Sequence, residues 1–302
     1  MKSVLSSSDA FELRQVLQVA VLEALLAGRR WGPGELVFQG GTSLHLVHGS
    51  PRFSEDLDFL VDNSLKLGSI SRGVQRRLAG APWLPKGSEL RVSKARDGHN
   101  PHSFDVTVGG ANWIGAVRVR VELRQTLAAA LSPLAVTVAP VRLLTGLGAG
   151  AQAMVPASDT SEIYADKVFA VAARPYLKAR DVFDLHWLQS REPGLTCSPA
   201  HLRVRLATYP NQNPAQWLVQ AKVRRAELEG AATAVARDLA RWLPSSWPLT
   251  TATVQAMLDA TQAALAQGVA AMGEVQKLAE TPARAPARTR TRTRASKEAG
   301  RP

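Results

Sequence analysis

Apolar and polar positions follow two different periods along the chain, and the change of period separates an early part from a late part. Residues 9–28 carry apolar side chains at helical spacing, and a short apolar run at 36–38 leads into a Gly-Gly pair. Further on, apolar and polar residues alternate strictly, which is typical of strands with one buried face. The strands predicted from this alternation cover residues 90–95, 103–108, 117–123 and 134–138.

Helical spacing returns in the second half of the chain. The predicted helices there cover residues 162–174, a segment from 178 onward, 199–208, 213–230, 231–243 and 249–279, and shorter ones are expected at 43–47 and 68–78. Strands followed by a run of helices predict an α+β fold, a mixed sheet with flanking helices and then a helical domain. We expect the domains to span 1–150 and 151–281, with a tail at 282–302.

Length, cysteine content and the distribution of apolar residues limit the classes of protein to which this chain can belong. The chain has 302 residues, ample for a packed core, and Cys197 is its one cysteine, so no internal disulfide or multi-cysteine metal site can form. Its first residues lack the pattern of a signal peptide, and no apolar run approaches the roughly 20 residues needed to cross a bilayer. These features predict a cytoplasmic protein without a membrane segment.

Positive charge is concentrated at one end of the sequence. The net charge is +12, and residues 282–302 contribute +6 of it through seven basic residues and one acidic residue. Proline, like charges and few bulky apolar residues predict disorder in this tail. The tail is expected either to bind nucleic acid by counterion release or to act as a solubilising segment.

Residues 40–60, GGTSLHLVHGSPRFSEDLDFL, combine two features suited to phosphate chemistry. Gly40 and Gly41 lie between an apolar strand and a predicted helix, where unpaired backbone N–H groups attract an anion and glycine permits its close approach. Asp56 and Asp58 follow, and side chains two apart on a strand share one face. Two carboxylates on one face favour a bound cation such as Mg²⁺.

The same residues carry a family resemblance. Gly40-Gly41-Thr42-x-Leu44, followed by Arg52-x-Ser54-x-Asp56-x-Asp58-Phe59, resembles the opening motif of the AbiEii/AbiGii toxins, a branch of the polymerase-β-like nucleotidyltransferases. The resemblance implies a polymerase-β-like sheet, with Asp56 and Asp58 holding one or two Mg²⁺ ions. The nucleotide-binding residues that it implies are Gly40, Gly41, Thr42, Ser43, Arg52, Ser54 and Lys167.

A third carboxylate on a neighbouring strand is also implied by the resemblance. In Val117-Arg118-Val119-Arg120-Val121-Glu122-Leu123 the valines share one face, and Glu122 lies on the other with the two arginines. The pattern alone is that of a half-exposed strand. Glu122 is the preferred candidate for a metal ligand or proton acceptor, and Asp105, on an earlier strand, is the alternative.

A second stretch, residues 161–188, resembles later motifs of the same family. It contains Ala-x-Lys at Lys167 and Arg-Asp-x-x-Asp-Leu at Asp181. The resemblance implies that Lys167 contacts phosphate and that Asp181 is an essential acid that fixes Lys167 or the substrate. Asp184, on the same helix face, is either a partner of these groups or an ordinary charge near a helix start.

The resemblance thus predicts a Mg²⁺-dependent toxin of a type IV toxin–antitoxin system. It would transfer NMP from an NTP to an acceptor hydroxyl, with the 3′ end of tRNA as the expected acceptor and a cognate antitoxin as a possible partner. Either Glu122 or Asp181 would help to deprotonate the acceptor. Two alternatives stay open: transfer to a Ser, Thr or Tyr hydroxyl of a protein, and a non-catalytic module that binds nucleic acid or a partner.

Overall fold

A computed structural model describes residues 3–32, 34–79, 81, 83–84, 86–94, 98–110, 113–141 and 153–280. The predicted tail at 282–302 lies outside these residues. Among the described residues, no helix is long and apolar enough to span a bilayer.

A seven-stranded mixed sheet forms the first half of the fold, in the order β4-β5-β7-β3-β2-β9-β8. The pairs β3/β7 and β2/β9 are parallel and the other neighbours are antiparallel. A separate two-residue pair joins β1 and β6. The strands are β1 Ser3–Val4, β2 Leu36–Gln39, β3 Leu57–Asp62, β4 Ser88–Val92, β5 His102–Gly110, β6 Trp113–Ile114, β7 Ala116–Thr126, β8 Val136–Pro140 and β9 Met154–Ser158.

Helices flank the sheet, and every element after β9 among the described residues is a helix. Ser6, Asp159, Ser198 and Asn213 cap four of them, each accepting a hydrogen bond from a backbone N–H in the first turn. The helices are α1 Ser7–Leu26, α2 Gly40–Leu46, α3 Ile70–Leu78, α4 Ala128–Leu131, α5 Thr160–Ala173, α6 Ala179–Arg191, α7 Pro199–Thr208, α8 Pro214–Leu228, α9 Ala232–Leu239 and α10 Thr251–Glu280. The predicted α+β fold is confirmed.

Two hydrophobic cores meet at α2. In one core, α1 and α3 pack against the sheet. In the other, the six helices from α5 through α10 pack around the fully buried Trp217. Within α2, Leu44 belongs to the helical core and Leu46 to the sheet core. The short helix is therefore held from both sides, and the Gly-Gly turn at its start lies where sheet and helices face each other.

The strand β9 was missed from the sequence, because Met-Val-Pro-Ala-Ser has no clear alternation. It pairs with β2 and β8 and so completes the sheet after residue 150. The predicted domain boundary at residue 150 stays a prediction. The helix expected at 43–47 begins earlier, at Gly40, directly after β2.

Candidate active site

The Gly-Gly turn is crowded by the side chains that surround it. Gly40 has a φ of +79°, which favours glycine, and a Cβ there would lie 2.6 Å from Oδ2 of Asp58. A Cβ on Gly41 would lie 2.5 Å from Nη2 of Arg52 and 2.9 Å from Oγ of Ser54. Any larger residue would push these groups aside, so the turn requires glycine at both positions.

Three carboxylates extend from neighbouring strands beside this turn. Asp58 on β3 lies opposite Glu122 on β7 in the parallel register, and Asp56 lies just before β3. Burial, together with the nearby Asp56 and Glu122, raises the pKa of Asp58 to about 7. Burial, followed by the charge of Glu55, also raises the pKa of Asp56. The three carboxylates therefore form a site of unfavourable negative charge.

Asp105 occupies a different position from Glu122. Asp105 on β5 pairs in register with Arg120, and the Arg120 Nε donates a hydrogen bond of 3.0 Å to its carboxylate. Asp105 does not line the cavity that Asp58 and Glu122 share. The arrangement of the strands thus favours Glu122 as the third carboxylate, while its chemical role stays a prediction.

The opposite wall comes from α5 and α6 and consists of a buried ion network. Nζ of Lys167 lies 2.9 Å from Oδ1 of Asp181 and 2.8 Å from Oδ2 of Asp184, and Arg174 contacts the other oxygen of Asp181. Burial lowers the pKa of Lys167, and the charge of Asp184 opposes this effect. Asp181 therefore contacts Lys167 directly, and its role as an essential acid stays a prediction.

Arg52 connects the two walls. Its Nε and Nη2 donate to the two oxygens of Asp184 at 2.6 and 2.8 Å, and its Nη1 donates to the carbonyl of Phe53 at 2.8 Å. Burial by itself would raise the pKa of Asp184, but Arg52 and Lys167 hold that pKa below its usual value. These contacts occupy much of the Arg52 guanidinium and fix the two walls relative to each other. A nucleotide contact by Arg52 stays a prediction.

Two residues predicted to bind the nucleotide have side chains turned elsewhere. Thr42 is fully buried, and its hydroxyl donates a hydrogen bond to the carbonyl of Asp56. Ser43 is also fully buried. Neither lines the cavity described below, so these side chains support the turn, and a nucleotide contact by either residue stays a prediction.

Together these groups enclose a cavity of about 410 Å³, which we call the main cavity. Gly40, Gly41, Ser54 and Arg52 line it beside the three carboxylates, and Lys167 and Asp181 line it from the helical side. Further lining residues could not be predicted from the motifs, among them Gln39, Pro101, Arg124, Asp166, Arg174, Lys178, Arg180 and Tyr209. Several of these are basic residues near 174–180, a charge cluster visible in the sequence.

Three cations of the main cavity have no carboxylate partner among the described residues: Arg124, Lys178 and Arg180. Each lies over an aromatic ring: Arg124 at 4.9 Å from the centroid of Tyr209, Arg180 at 4.2 Å from that of Trp242 and Lys178 at 5.9 Å from that of Tyr176. Burial, with neighbouring cations, lowers the pKa values of Lys178 and Arg180. Cations without a carboxylate partner suit an anion with several charges, such as a triphosphate.

A comparison with models of protein families identifies the family of this chain. The model of the family described as nucleotidyl transferase AbiEii toxin, type IV TA system, matches residues 25–287. The chain belongs to the AbiEii family. The membership that the motifs predict is thereby confirmed, and the family is one of nucleotidyltransferase toxins of type IV toxin–antitoxin systems.

Solved structures agree with the AbiEii fold. MenT4, the nucleotidyltransferase toxin Rv2826c from Mycobacterium tuberculosis H37Rv, is 20% identical with a TM-score of 0.53, over 88% of this chain and 90% of that one. JHP933 from Helicobacter pylori is 16% identical with a TM-score of 0.50, over 92% and 100% of the two chains. At these identities the likeness concerns the fold. Among curated protein sequences, none is significantly similar to this chain.

The donor set beside the AbiEii Gly-Gly turn fits a hard cation. Among the described residues, no group of three or more His, Cys, Asp or Glu side chains is arranged to hold a metal by itself. Asp56 and Asp58 offer carboxylate oxygens that form no ion pair within the described part of the chain, and burial raises the pKa of both. Mg²⁺ commonly takes one or two carboxylates together with substrate phosphates. The residues therefore fit a metal that binds together with a triphosphate.

Proposed function

We propose that this AbiEii protein is a Mg²⁺-dependent enzyme that transfers NMP from an NTP to the 3′ end of tRNA. The observation that carries the proposal is the convergence of Asp56, Asp58 and Glu122 with the Gly-Gly turn in one cavity, opposite Lys178 and Arg180. The carboxylates suit a metal-bound triphosphate, and the free cations suit its phosphate oxygens.

The main cavity suggests how the chain's own residues would act. Gly40 and Gly41 let the triphosphate approach the backbone, and Lys178 and Arg180 neutralise its charge. Asp56 and Asp58 would hold Mg²⁺, which when bound would draw charge from the phosphates and orient them. Lys167 remains fixed by Asp181 and Asp184 and adds positive charge beside the phosphates.

In the proposed reaction, the acceptor hydroxyl oxygen bonds to the α-phosphorus while the bond from that phosphorus to the bridging oxygen breaks, and pyrophosphate leaves. The hydroxyl proton passes to a carboxylate. Asp181 is already engaged by Lys167 and Arg174, whereas Glu122 has no ion pair or hydrogen-bond partner among the described residues. We therefore assign the proton to Glu122.

Partners follow from the same proposal. NTP and tRNA are cytoplasmic molecules, so we place the enzyme in the cytoplasm. A toxin of this family calls for a cognate antitoxin that restrains it. The basic tail at 282–302 would add affinity for RNA without base specificity.

The test is to incubate the protein with Mg²⁺, each NTP labelled at the α-phosphate, total tRNA and a separate pool of cellular protein. We expect label on tRNA that is removed by trimming the 3′ end, and none with Asp58→Asn. Label on protein would indicate that the acceptor is a side-chain hydroxyl of a protein. Label on neither pool, with correctly folded protein, would contradict the proposal.

A further inference from the structure

A second cavity of about 310 Å³, which we call the side cavity, adjoins the main cavity. Four residues line both: Arg124, Asp166, Arg174 and Tyr209. The remainder of the side cavity is lined by Phe169, Ala170 and Ala173 of α5 and by residues 210–212 after α7. Its volume lies near the lower end of small-molecule sites, roughly 300–1,000 Å³. The side cavity is therefore large enough for part of a ligand that also occupies the main cavity.

The two cavities differ in chemistry. The main cavity is surrounded by charged side chains and a glycine turn, which suit phosphates. The side cavity adds aromatic and small apolar side chains, Phe169, Ala170 and Ala173. Such a surface suits a flat ring with little charge. A ligand with a polyanionic end and an aromatic end would match both cavities at once.

A stacking platform lies where the cavities join. The Tyr209 ring packs against Phe169 with centroids 5.7 Å apart and planes tilted by 19°. The Arg124 guanidinium lies 4.9 Å from the Tyr209 centroid and has no carboxylate partner among the described residues. A guanidinium supported in this way offers a planar face on which a nucleobase can stack.

Gln212 supplies a polar group to the side cavity. Its side-chain oxygen is buried and lacks a hydrogen-bond partner among the described residues. Buried polar atoms normally have partners, because leaving one unpaired costs free energy. A base in the side cavity would bring N–H donors, and the Gln212 oxygen could accept one of them if the amide turns towards the cavity.

One helix links the two cavities rigidly. On α5, Lys167 faces the main cavity, whereas Ala170 and Ala173 face the side cavity, one to two turns further on. Elements fixed to one helix keep a constant separation, which suits two ends of a single small molecule better than two independent ligands. At about 1.5 Å per residue along α5, both cavities lie within the span of one small molecule such as an NTP.

We propose that the side cavity binds the base of the incoming NTP, with Arg124 supported by Tyr209 as the stacking surface and Gln212 at the base edge. The inference rests on the proposed function, because it takes the main cavity to hold the triphosphate. It assigns Arg124, Tyr209 and Gln212 to nucleotide binding, in addition to the residues near the carboxylates.

The test compares a complete nucleotide with its phosphates alone. Binding of ATP, CTP, GTP and UTP, and of inorganic tripolyphosphate, is measured by calorimetry with Mg²⁺ and without acceptor. Ala170→Leu fills the side cavity with a good helix former, and Ala256→Leu, on an exposed position of α10, is the matched control. For the tightest-binding NTP we expect Ala170→Leu to weaken binding about tenfold, with tripolyphosphate binding changed less than about twofold.

A second pair of variants tests the same cavity independently, in case Ala170→Leu does not fold correctly. Tyr209→Phe keeps the ring beneath Arg124 and should bind NTP within about twofold of wild type, whereas Tyr209→Leu should bind about five- to tenfold more weakly. Equal losses for NTP and tripolyphosphate, or no loss in either, would overturn the inference while leaving transfer by the wild type intact. If wild-type protein binds no NTP, the proposed function fails together with the inference.

Discussion

The two walls of the main cavity handle buried charge in opposite ways. On the sheet wall, Asp56, Asp58 and Glu122 lie together without an ion-pair partner among the described residues, and the pKa of Asp58 rises to about 7. On the helical wall, Asp184 is also buried, but Arg52 and Lys167 hold its pKa below the usual value. The negative charge of a buried carboxylate is thus unfavourable on the sheet wall and is stabilised by ion pairs on the helical wall.

This difference separates residues that do chemistry from residues that keep the site in shape. Uncompensated carboxylates lower the stability of the protein and are tolerated where a ligand supplies the missing charge. Compensated ones are parts of the structure, and removing a single partner leaves the others as unpaired buried charges. Mutations of the sheet-wall carboxylates should therefore reduce activity more than stability, and mutations of the buried acids Asp181 and Asp184 should do the reverse.

The largest effect is expected from Asp58→Asn. The change keeps the shape of the side chain but removes a ligand of the proposed metal, so NMP transfer should fall on the order of a thousandfold or more. Asp62→Asn, at the exposed end of the same strand, is the control and should leave transfer unchanged. The rates are compared at saturating NTP. Transfer by Asp58→Asn at near wild-type rates would remove the distinction between the walls.

The next effect concerns stability. Asp184→Asn leaves Arg52 and Lys167 without their shared buried partner, and the free energy of unfolding should fall by about 3–5 kcal/mol. The matched control is Asp238→Asn, which breaks an exposed pair with Arg241 and should cost below about 1 kcal/mol. Urea denaturation measures both. Equal losses in the two variants would show that the buried network does not stabilise the fold.

The third prediction returns to the sheet wall and compares two acids on neighbouring strands. Glu122→Gln removes the proposed proton acceptor and should slow transfer about a hundredfold. Asp105→Asn breaks only the partly exposed pair with Arg120, so transfer should stay within about twofold. Single-turnover rates with saturating acceptor distinguish them. The reverse ranking would make Asp105 the third carboxylate.

Much of the sheet wall could be predicted from the sequence, because its residues belong to short local patterns. The Gly-Gly turn, the spacing of Asp56 and Asp58, and the alternation around Glu122 follow from residues within a few positions of one another. The mixed sheet and the run of helices were likewise visible as a change of period. Family membership came from the same motifs.

Long-range partners could not be predicted in this way. Nothing near Arg52 in the sequence indicates its partner Asp184, which lies 132 positions away. The family resemblance predicts Arg52 only as a nucleotide ligand, and that contact stays a prediction. The side cavity likewise joins Arg124 on β7 to Tyr209 after α7. Such pairs depend on how the helical core docks onto the sheet, and a single sequence contains no pattern for that docking.

The smallest expected effect concerns pH and again involves Asp58. Its pKa is about 7 in the folded protein, whereas the pKa of an aspartate in an unfolded chain is about 3.9. Between these two pH values the folded protein keeps a proton on Asp58 that the unfolded chain has lost. The free energy of unfolding therefore falls as pH rises through this window. Asparagine cannot ionise, so Asp58→Asn should be more stable than wild type above pH 7.

This advantage can be measured by urea denaturation at pH 5, 6.5 and 8 in the presence of a chelator. Solvent in the cavity screens part of the repulsion, so the advantage of Asp58→Asn should grow by about 2 kcal/mol between pH 5 and pH 8. Added Mg²⁺ should reduce it by stabilising only the wild type. A difference that does not change with pH would mean that Asp58 is not under electrostatic strain, and the sheet wall would then resemble the helical wall.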